Sequence, residues 1–544
     1  MLFTSRKARL RARIRQAGYT GYAAVDRRAP VSEAGRALLR KAFPDHWSFL
    51  LGEITLYSVL ILVLTGSYLT LFFEPGMTAK PYDGAYGPLR GLIVTDAYAS
   101  TLRLSFEVRG GLLVRQMHHW AALVFVAALG VHMLRVFFTG AFRRPRELNW
   151  LIGVTLFLLA LLEGFCGYSL PDDLLSGTGM RTANTIVMSV PVVGTYLSFA
   201  LWGGSFPGHL IIPRLYIVHV LFVPGLLLAL IGAHLVMVVY LKHTQWAGGA
   251  RSNRNVAGHP MFPQFAARSA GLCLMVFGVV AALGGLAQIN PVWDFGPYRA
   301  DHVSTGAQPD WYMGFLEGAL RLMPPWETDV AGHTVMWNVL LPALVLPGLI
   351  TLCLLLYPFF ERWVTGDLVE HHLCDRPRDR PTRTALGVAA VVFYAVLLLA
   401  GGNDVAAFVF RVSVETLTEA FRVAVFAGPV LAFLVTKRFC LALQARDARL
   451  LREGEESGLV DQDVDGGIGE EHRPLDAGRR HRLLVRDVPL PMARPGGRAP
   501  RRRRLRAALS GWYYRDRVAM PADPEELLQI TGRTAGPPPR GGGE

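Results

Sequence analysis

Four histidines interrupt stretches of this sequence that are otherwise almost wholly apolar. Residues 112–138 read LLVRQMHHWAALVFVAALGVHMLRVFF, with His118 and His132 fourteen apart. Residues 214–243 read RLYIVHVLFVPGLLLALIGAHLVMVVYLKH, with His219 and His234 fifteen apart. At about 100° per residue, either spacing brings both members of a pair broadly to one helix face, about 21–22 Å apart along the axis. Pro224 lies between His219 and His234, where a kink or bulge absorbs the extra residue. A single histidine in an apolar helix is more often a packing residue than a ligand. Two pairs at matched depths on two helices are a different matter, because ionisable groups inside a membrane are costly and mark function.

The segments between them carry the complement. Gly52 and Gly66 are fourteen apart in one apolar stretch, and Gly153 and Gly167 fourteen apart in another. Glycine lets a bulky flat object approach the backbone, although membrane helices also use it as a packing notch. Two helices offering imidazoles at two depths, and two offering gaps at the same repeat, suit a bundle holding two stacked macrocycles. Imidazole on both faces of an iron gives a six-coordinate haem suited to electron transfer. Copper or zinc would gather its ligands around one centre. Arg115, three residues before His118, and Arg135, three after His132, are candidates to pair with haem propionates, or else interfacial snorkelling residues. His119 points about 100° away from His118 and reads as a polar contact.

The elements that position these residues follow from composition. The 544 residues are 51% hydrophobic and 18% charged, with mean hydropathy +0.30, which places the chain among multi-span membrane proteins rather than soluble enzymes. Apolar windows long enough to span fall at about 48–73, 112–138, 150–170, 214–241, 267–289, 336–360, 384–402 and 417–440. The expected fold is therefore an all-α integral membrane protein of eight transmembrane helices, the first four forming a diheme bundle. The first 47 residues hold eleven Lys/Arg against three acids, and 242–268 hold four with no acid, whereas 290–332 hold two basic and six acidic residues. The basic excess puts both termini in the cytoplasm. It also accounts for the net charge of +14 without nucleic acid. The N-terminus does not read as a signal peptide. The five cysteines form no CxxC or CxxCH, which leaves a zinc site, a covalent haem or a disulfide framework without support. The organisation reads as a basic cytoplasmic segment (1–47), a diheme core (48–241), a cytoplasmic loop (242–266), a four-helix membrane domain (267–440) and a mostly disordered cytoplasmic tail (441–544). Between spans, 74–111 holds a short amphipathic helix and 171–213 short helices broken by Gly and Pro.

The RQMH start, the His and Gly repeats, GYSLP at 167–171 and QPDWY at 308–312 closely resemble cytochrome b of the bacterial quinol:cytochrome c reductases, the bc complexes, across about residues 45–440. GYSLPDDLLSGTG and the basic tail look most like the actinobacterial version, which serves menaquinol. The resemblance implies the catalytic subunit of a quinol:cytochrome c oxidoreductase in the cell membrane. His118 and His219 would bind a low-potential b haem near the outer face, and His132 and His234 a high-potential b haem near the cytoplasm. It implies a Q-cycle: quinol is oxidised at an outer site, one electron goes to a Rieske iron–sulfur subunit, and the other crosses to a quinone at an inner site while protons are translocated. At the outer site Asp310 would accept a proton, Trp311 and Tyr312 would form walls and Pro309 would fix the turn; Tyr168 and Gly179 resemble further lining residues. The family usually has Glu where Asp310 stands, and Trp-Gly where Asp172 and Asp173 stand; the two aspartates either tune docking or proton exit or form a solvated loop. The family's acid at the start of span five is missing, since Arg268 and Ser269 occupy that neighbourhood. His46, Lys242 and His243 are the polar candidates for an inner quinone site. The fifteen-residue spacing resembles the split cytochrome b6, but this chain continues unsplit. Partners implied are a Rieske subunit, a cytochrome c subunit, a second copy in a homodimer, lipids and, in a supercomplex, a terminal oxidase. The rival readings are a diheme membrane anchor of another quinone-linked oxidoreductase and a non-haem transporter with histidines as a proton or metal relay.

Overall fold

The computed structural model describes residues 26, 31–249, 251–302, 308–485, 491–496 and 499–521. Most of the basic N-terminal segment and the terminal GPPPRGGGE stretch lie outside the described residues. Eight described helices are long and apolar enough to cross a membrane: α1 (Trp47–Leu69), α2 (Gly111–Phe138), α3 (Glu147–Tyr168), α4 (Ile211–Leu241), α5 (Met261–Leu286), α6 (Trp337–Thr365), α7 (Pro381–Gly401) and α8 (Val414–Glu453). They meet all eight sequence windows. An even number of traverses returns the chain to the face where α1 starts, here called the terminal face. In the first four helices α1 packs on α2, α2 meets α3, and α3 packs on α4. Helix α5 covers α1 and α2, α6 leans on α3, and α7 pairs with α8.

Within α4 the hydrogen-bond ladder widens to a π-helical turn over Val218–Phe222, immediately before Pro224. A π turn takes up one residue more than an α turn. This is why His219 and His234, fifteen apart, can match a fourteen-residue repeat on α2.

The fold is not helical throughout. Four short antiparallel ribbons occur among the described residues, joining Ala79–Pro81 to Ile93–Thr95, Glu327–Val330 to His333–Met336, Glu455–Gln462 to Ile468–Arg473, and Ala42–Phe43 to His259–Pro260. The interhelical stretches carry the expected short helices, Asp96–Phe106 in the first and Leu174–Met188 and Gly194–Trp202 in the second. On the opposite face a turn at Trp311–Met313 leads into a helix at Gly314–Leu322. That helix is seated on α7 backbone to backbone: a side chain at Gly318 would run into the Leu397 carbonyl, and one at Gly401 into the Gly314 carbonyl.

The tail departs from the disordered reading over its described part. Helix α8 runs on to Glu453, and helices follow at Ala477–Leu484 and Arg501–Tyr513. They hold because their few apolar residues are well placed: Leu483 and Leu484 bury against Leu451, and Tyr513 and Tyr514 against Val364. Average composition hid this docking. Nearby, Asp375 ties the terminal-face loops together. It lies 3.1 Å from Arg143, 3.1 Å from Arg380 and 2.6 Å from Arg383, and Arg383 also bonds Glu361 at 3.0 Å. Burial alone would raise the Asp375 carboxyl, but the three guanidinium groups hold it well below the usual carboxylate range.

Candidate functional site

The π turn and the straight run of α2 bring His118 and His219 together, with ring centroids 6.1 Å apart and planes at 84°. Each imidazole is oriented through its Nδ1. That of His118 is 2.9 Å from Thr65 Oγ1 on α1, and that of His219 is 2.9 Å from Glu163 Oε1 on α3. A histidine that ligates a metal ordinarily has its other nitrogen held by such a partner. The second pair, His132 and His234, lies deeper toward the terminal face and within electrostatic reach of each other. Nδ1 of both is buried and finds no partner among the described residues.

The glycines sit against these rings. A Cβ at Gly52 would be 3.1 Å from His132 Cε1, and one at Gly66 would be 3.1 Å from His118 Cε1. A Cβ at Gly167 would be 2.5 Å from His219 Cε1, while Gly153 faces open space. Arg115 donates to the Asn290 carbonyl at 3.1 and 3.2 Å, and Arg135 reaches Cys374 Sγ at 3.5 Å with its guanidinium 4.4 Å from the Phe49 ring centroid. Nε of each arginine stays buried without a partner among the described residues. Unpaired imidazole nitrogens, unpaired cationic donors and glycine cradles fit two flat, anionic, metal-bearing groups. Among the described residues no cluster of three His, Cys, Asp or Glu offers an alternative metal centre.

On the opposite face the PDWY turn places Asp310 between two partners. Its Oδ1 is 3.1 Å from His119 Nε2, and its Oδ2 accepts from the Tyr312 hydroxyl at 2.9 Å. Tyr312 is 2% exposed and packs with Val59, Phe125 and Ala160 of the bundle. Its hydroxyl occupies the space a side chain at Gly164 would fill. Burial, then the Asp310 carboxylate, pushes the Tyr312 phenol far above its ordinary range. Pro309 precedes this turn, and Trp311 stands half exposed, edge-on to Tyr312 at 6.0 Å. Tyr168 lies within electrostatic reach of Asp310 and packs 3.3 Å from where a Gly179 Cβ would be. Two residues escaped a definite role in the sequence. His119 turns away from His118 as expected, but the polar contact it makes is the carboxylate of the PDWY turn. Glu163 stood out only as a rare acid within a span. The HisHis doublet was the one available signal for the first.

The solvated-loop reading of Asp172 and Asp173 is wrong, since both are buried. Asp172 adopts φ 53° and accepts from Thr95 Oγ1 at 2.8 Å; Asp173 caps the Leu174–Met188 helix through Ser176. Burial pushes the Asp172 carboxyl up to about 7. A carboxyl raised in the folded state contributes stability below its unfolded pKa, and that contribution is lost as pH rises through the folded value. Asp172→Asn keeps an acceptor for Thr95 and tolerates the left-handed backbone. We expect it to raise stability by about 3 kcal/mol more at pH 8 than at pH 5, because the unfolded carboxyl is ionised at both while the folded one gives up its proton between them. Thermal melts at the two pH values check this; equal shifts at both would contradict it.

The three inner-site candidates do not converge. His46 accepts from the Ser48 amide at 3.2 Å and borders a cavity of about 600 Å³ with Trp246, Arg251 and Cys374. His243 is not among its lining residues; it packs at 4.7 Å against Phe43, and burial, then Lys41, pushes it down to about 4. Lys242 ends α4 with φ 64°, its carbonyl taken by Arg146.

Comparison with known proteins adds independent findings. The family described as "Cytochrome b(N-terminal)/b6/petB" matches residues 123–297. The cytochrome bc1 complex cytochrome b subunit of Streptomyces coelicolor is 50% identical over 517 residues, 93% of this chain and 94% of that one. The subunit of the same name from Corynebacterium diphtheriae is 49% identical over 472 residues, 86% of each chain, and that from Mycobacterium leprae 48% identical over 482 residues, 88% of this chain and 86% of that one. A solved structure titled "Hyperthermophilic respiratory Complex III" has the same fold, with a TM-score of 0.58 at 22% identity over 76% of this chain and 98% of its own. About half the residues are shared with relatives over nearly the whole length, so this chain belongs to the cytochrome b family of the bc1 complexes.

Proposed function

We propose that this chain is the quinol-oxidising, electron-transferring membrane subunit of a quinol:cytochrome c reductase, with menaquinol as the quinol. The observation that carries the reading is the pairing of His118 with His219 and of His132 with His234 at two depths, beside glycine gaps and the unpartnered Nε of Arg115 and Arg135. His118 and His219 would hold one b haem and His132 and His234 another. Gly52, Gly66, Gly153 and Gly167 would leave room for the rings, and Arg115 and Arg135 would pair with their carboxylates. Bound there, haem would supply one-electron transfer between the two halves of the membrane.

The chain's own residues do the proton chemistry. At the outer site Asp310 takes a proton from a quinol hydroxyl at Oδ1, and His119 Nε2, 3.1 Å away, receives it in turn. Tyr312 donates to Oδ2, which fixes the carboxylate plane. The faces of Trp311 and Tyr168 wall the pocket, Gly179 lets Tyr168 lie flat, and Pro309 sets the turn. A carboxylate within hydrogen-bond reach in a water-poor pocket is what such proton abstraction needs. The basic terminal face belongs to the cytoplasm of a bacterial plasma membrane. The chain has no CxxCH, so the Rieske and cytochrome c functions fall to partner subunits, in a dimer of such assemblies and, in a supercomplex, beside a terminal oxidase. His46, Lys242 and His243 mark the neighbourhood of an inner quinone site.

Mixing the purified complex with a reduced menaquinol analogue tests this. Quinol-dependent appearance of b-haem absorbance and reduction of cytochrome c is the expected result. Haem-loaded complex that quinol cannot reduce would contradict it.

A further inference from the structure

We propose that the cavity of about 600 Å³ on the terminal face is a binding site for a soluble nucleoside phosphate, separate from the haem and quinol chemistry. Its volume falls within the range of small-molecule sites, about 300–1,000 Å³. The walls come from segments far apart in sequence: the loop after α4, the α6–α7 loop, the extension of α8 and the tail helix Ala477–Leu484, with His46 at the start of α1. None of the lining residues falls within an apolar window of the sequence. The cavity therefore belongs to the aqueous side of the membrane surface and not to the acyl chains.

The tail helix closes it. Arg376 donates to the Leu483 carbonyl at 3.3 Å, and the stem of Arg482 lies 3.9 Å from where a side chain at Gly248 would be. A tail segment is thus fastened both to the α6–α7 loop and to the loop after α4.

Charge decides what such a chamber takes. The lining holds six arginines, Arg251, Arg376, Arg378, Arg446, Arg479 and Arg482, against three aspartates. The aspartates are already matched. Asp375 is held by Arg143, Arg380 and Arg383, Asp379 by Arg376 at 2.8 Å, and Asp447 by Arg378 at 2.8 Å. Arg479 pairs with Glu455. Arg251, Arg446 and Arg482 are left over, one each from the loop, α8 and the tail helix, with no ion pair among the described residues. Like charges gathered by folding repel one another until an anion joins them, and the guanidinium fork matches phosphate oxygens. Trp246, 5.3 Å from the His46 ring, adds an aromatic wall on which a base can stack. A neutral, apolar quinone gains nothing from this lining. Of the inner-quinone candidates only His46 touches it.

Equilibrium dialysis of radiolabelled ADP against the purified complex tests the site. We expect one saturable site per chain, displaced by inorganic pyrophosphate and not by sulfate at equal ionic strength. Arg446→Gln combined with Arg482→Gln should weaken ADP binding about 100-fold at unchanged haem content, on the order of tenfold for each charged contact removed. Arg449→Gln removes a charge from an exposed residue of α8 outside the lining and should bind ADP as the wild type does. No saturable binding, or wild-type affinity in the double variant, would overturn the proposal. A comparable loss in Arg449→Gln, or sulfate displacing ADP as well as pyrophosphate does, would reduce the effect to diffuse charge and overturn it too. Displacement of ADP by phosphatidylglycerol in the detergent micelles would make the cavity a lipid-headgroup site, which also contradicts it. Should the double variant lose haem, Arg251→Gln alone decides: weakened ADP binding supports the site, and wild-type affinity overturns it.

Discussion

Asp310→Asn should lower quinol-dependent cytochrome c reduction by about 10²–10⁴-fold, the range a positioned proton acceptor contributes. The amide keeps the size of the side chain and can still accept from Tyr312, so the fold of the turn should survive. What it loses is a basic oxygen facing His119. The effect should fall on kcat more than on KM, because the proton leaves the quinol during the reaction and not on binding. His119→Ala should lower the rate less, since Asp310 still takes the first proton. Steady-state kinetics with a menaquinol analogue, alongside unchanged haem spectra, checks both. A small loss in Asp310→Asn, with a large one in His119→Ala, would reverse the order of the two acceptors.

His132→Ala should reduce the haem content of the complex from two per chain to one and abolish multiple turnover. The imidazole fills space beside Gly52, and its Nδ1 has no protein partner among the described residues to compensate for the loss. One of the two histidines that would hold the inner haem is then gone, while the His118 and His219 pair, held by Thr65 and Glu163, is untouched. Reduction of the remaining haem by quinol should persist. Pyridine-haemochrome counting with a reduced-minus-oxidised spectrum reads this directly. A variant that keeps two haems would show that His132 is not a ligand.

Much of this architecture is legible in the residues because a bilayer imposes a simple code. Eight apolar runs predict eight traverses, and residues fourteen apart share a helix face whatever the packing around them. The extra residue between His219 and His234, a blemish in the repeat, has its counterpart in the π turn at Val218–Phe222. Contacts between distant segments are not legible in the same way. No spacing rule connects His119 to Asp310, or His219 to Glu163, because each contact joins segments whose relative placement is set by tertiary packing. The burial of Asp172 and Asp173 was hidden for a related reason. Two adjacent acids in a Gly-rich loop suggest water, yet one serves as a helix cap and the other satisfies Thr95. In the tail, a charged average concealed Leu483, Leu484 and Tyr513, whose positions let short helices dock on the ends of α6 and α8. Small two-stranded ribbons were invisible because runs of two to eight residues in loops carry no reliable periodicity.

The most direct test of the central claim is a potentiometric titration of the wild-type complex, followed at the b-haem absorbance and normalised to haem per chain. Two one-electron components in equal amount, totalling two haems per chain, are what the paired histidines on α2 and α4 predict. A single component, or well-folded chain without haem, would contradict the account and leave the four histidines as packing or proton-relay groups.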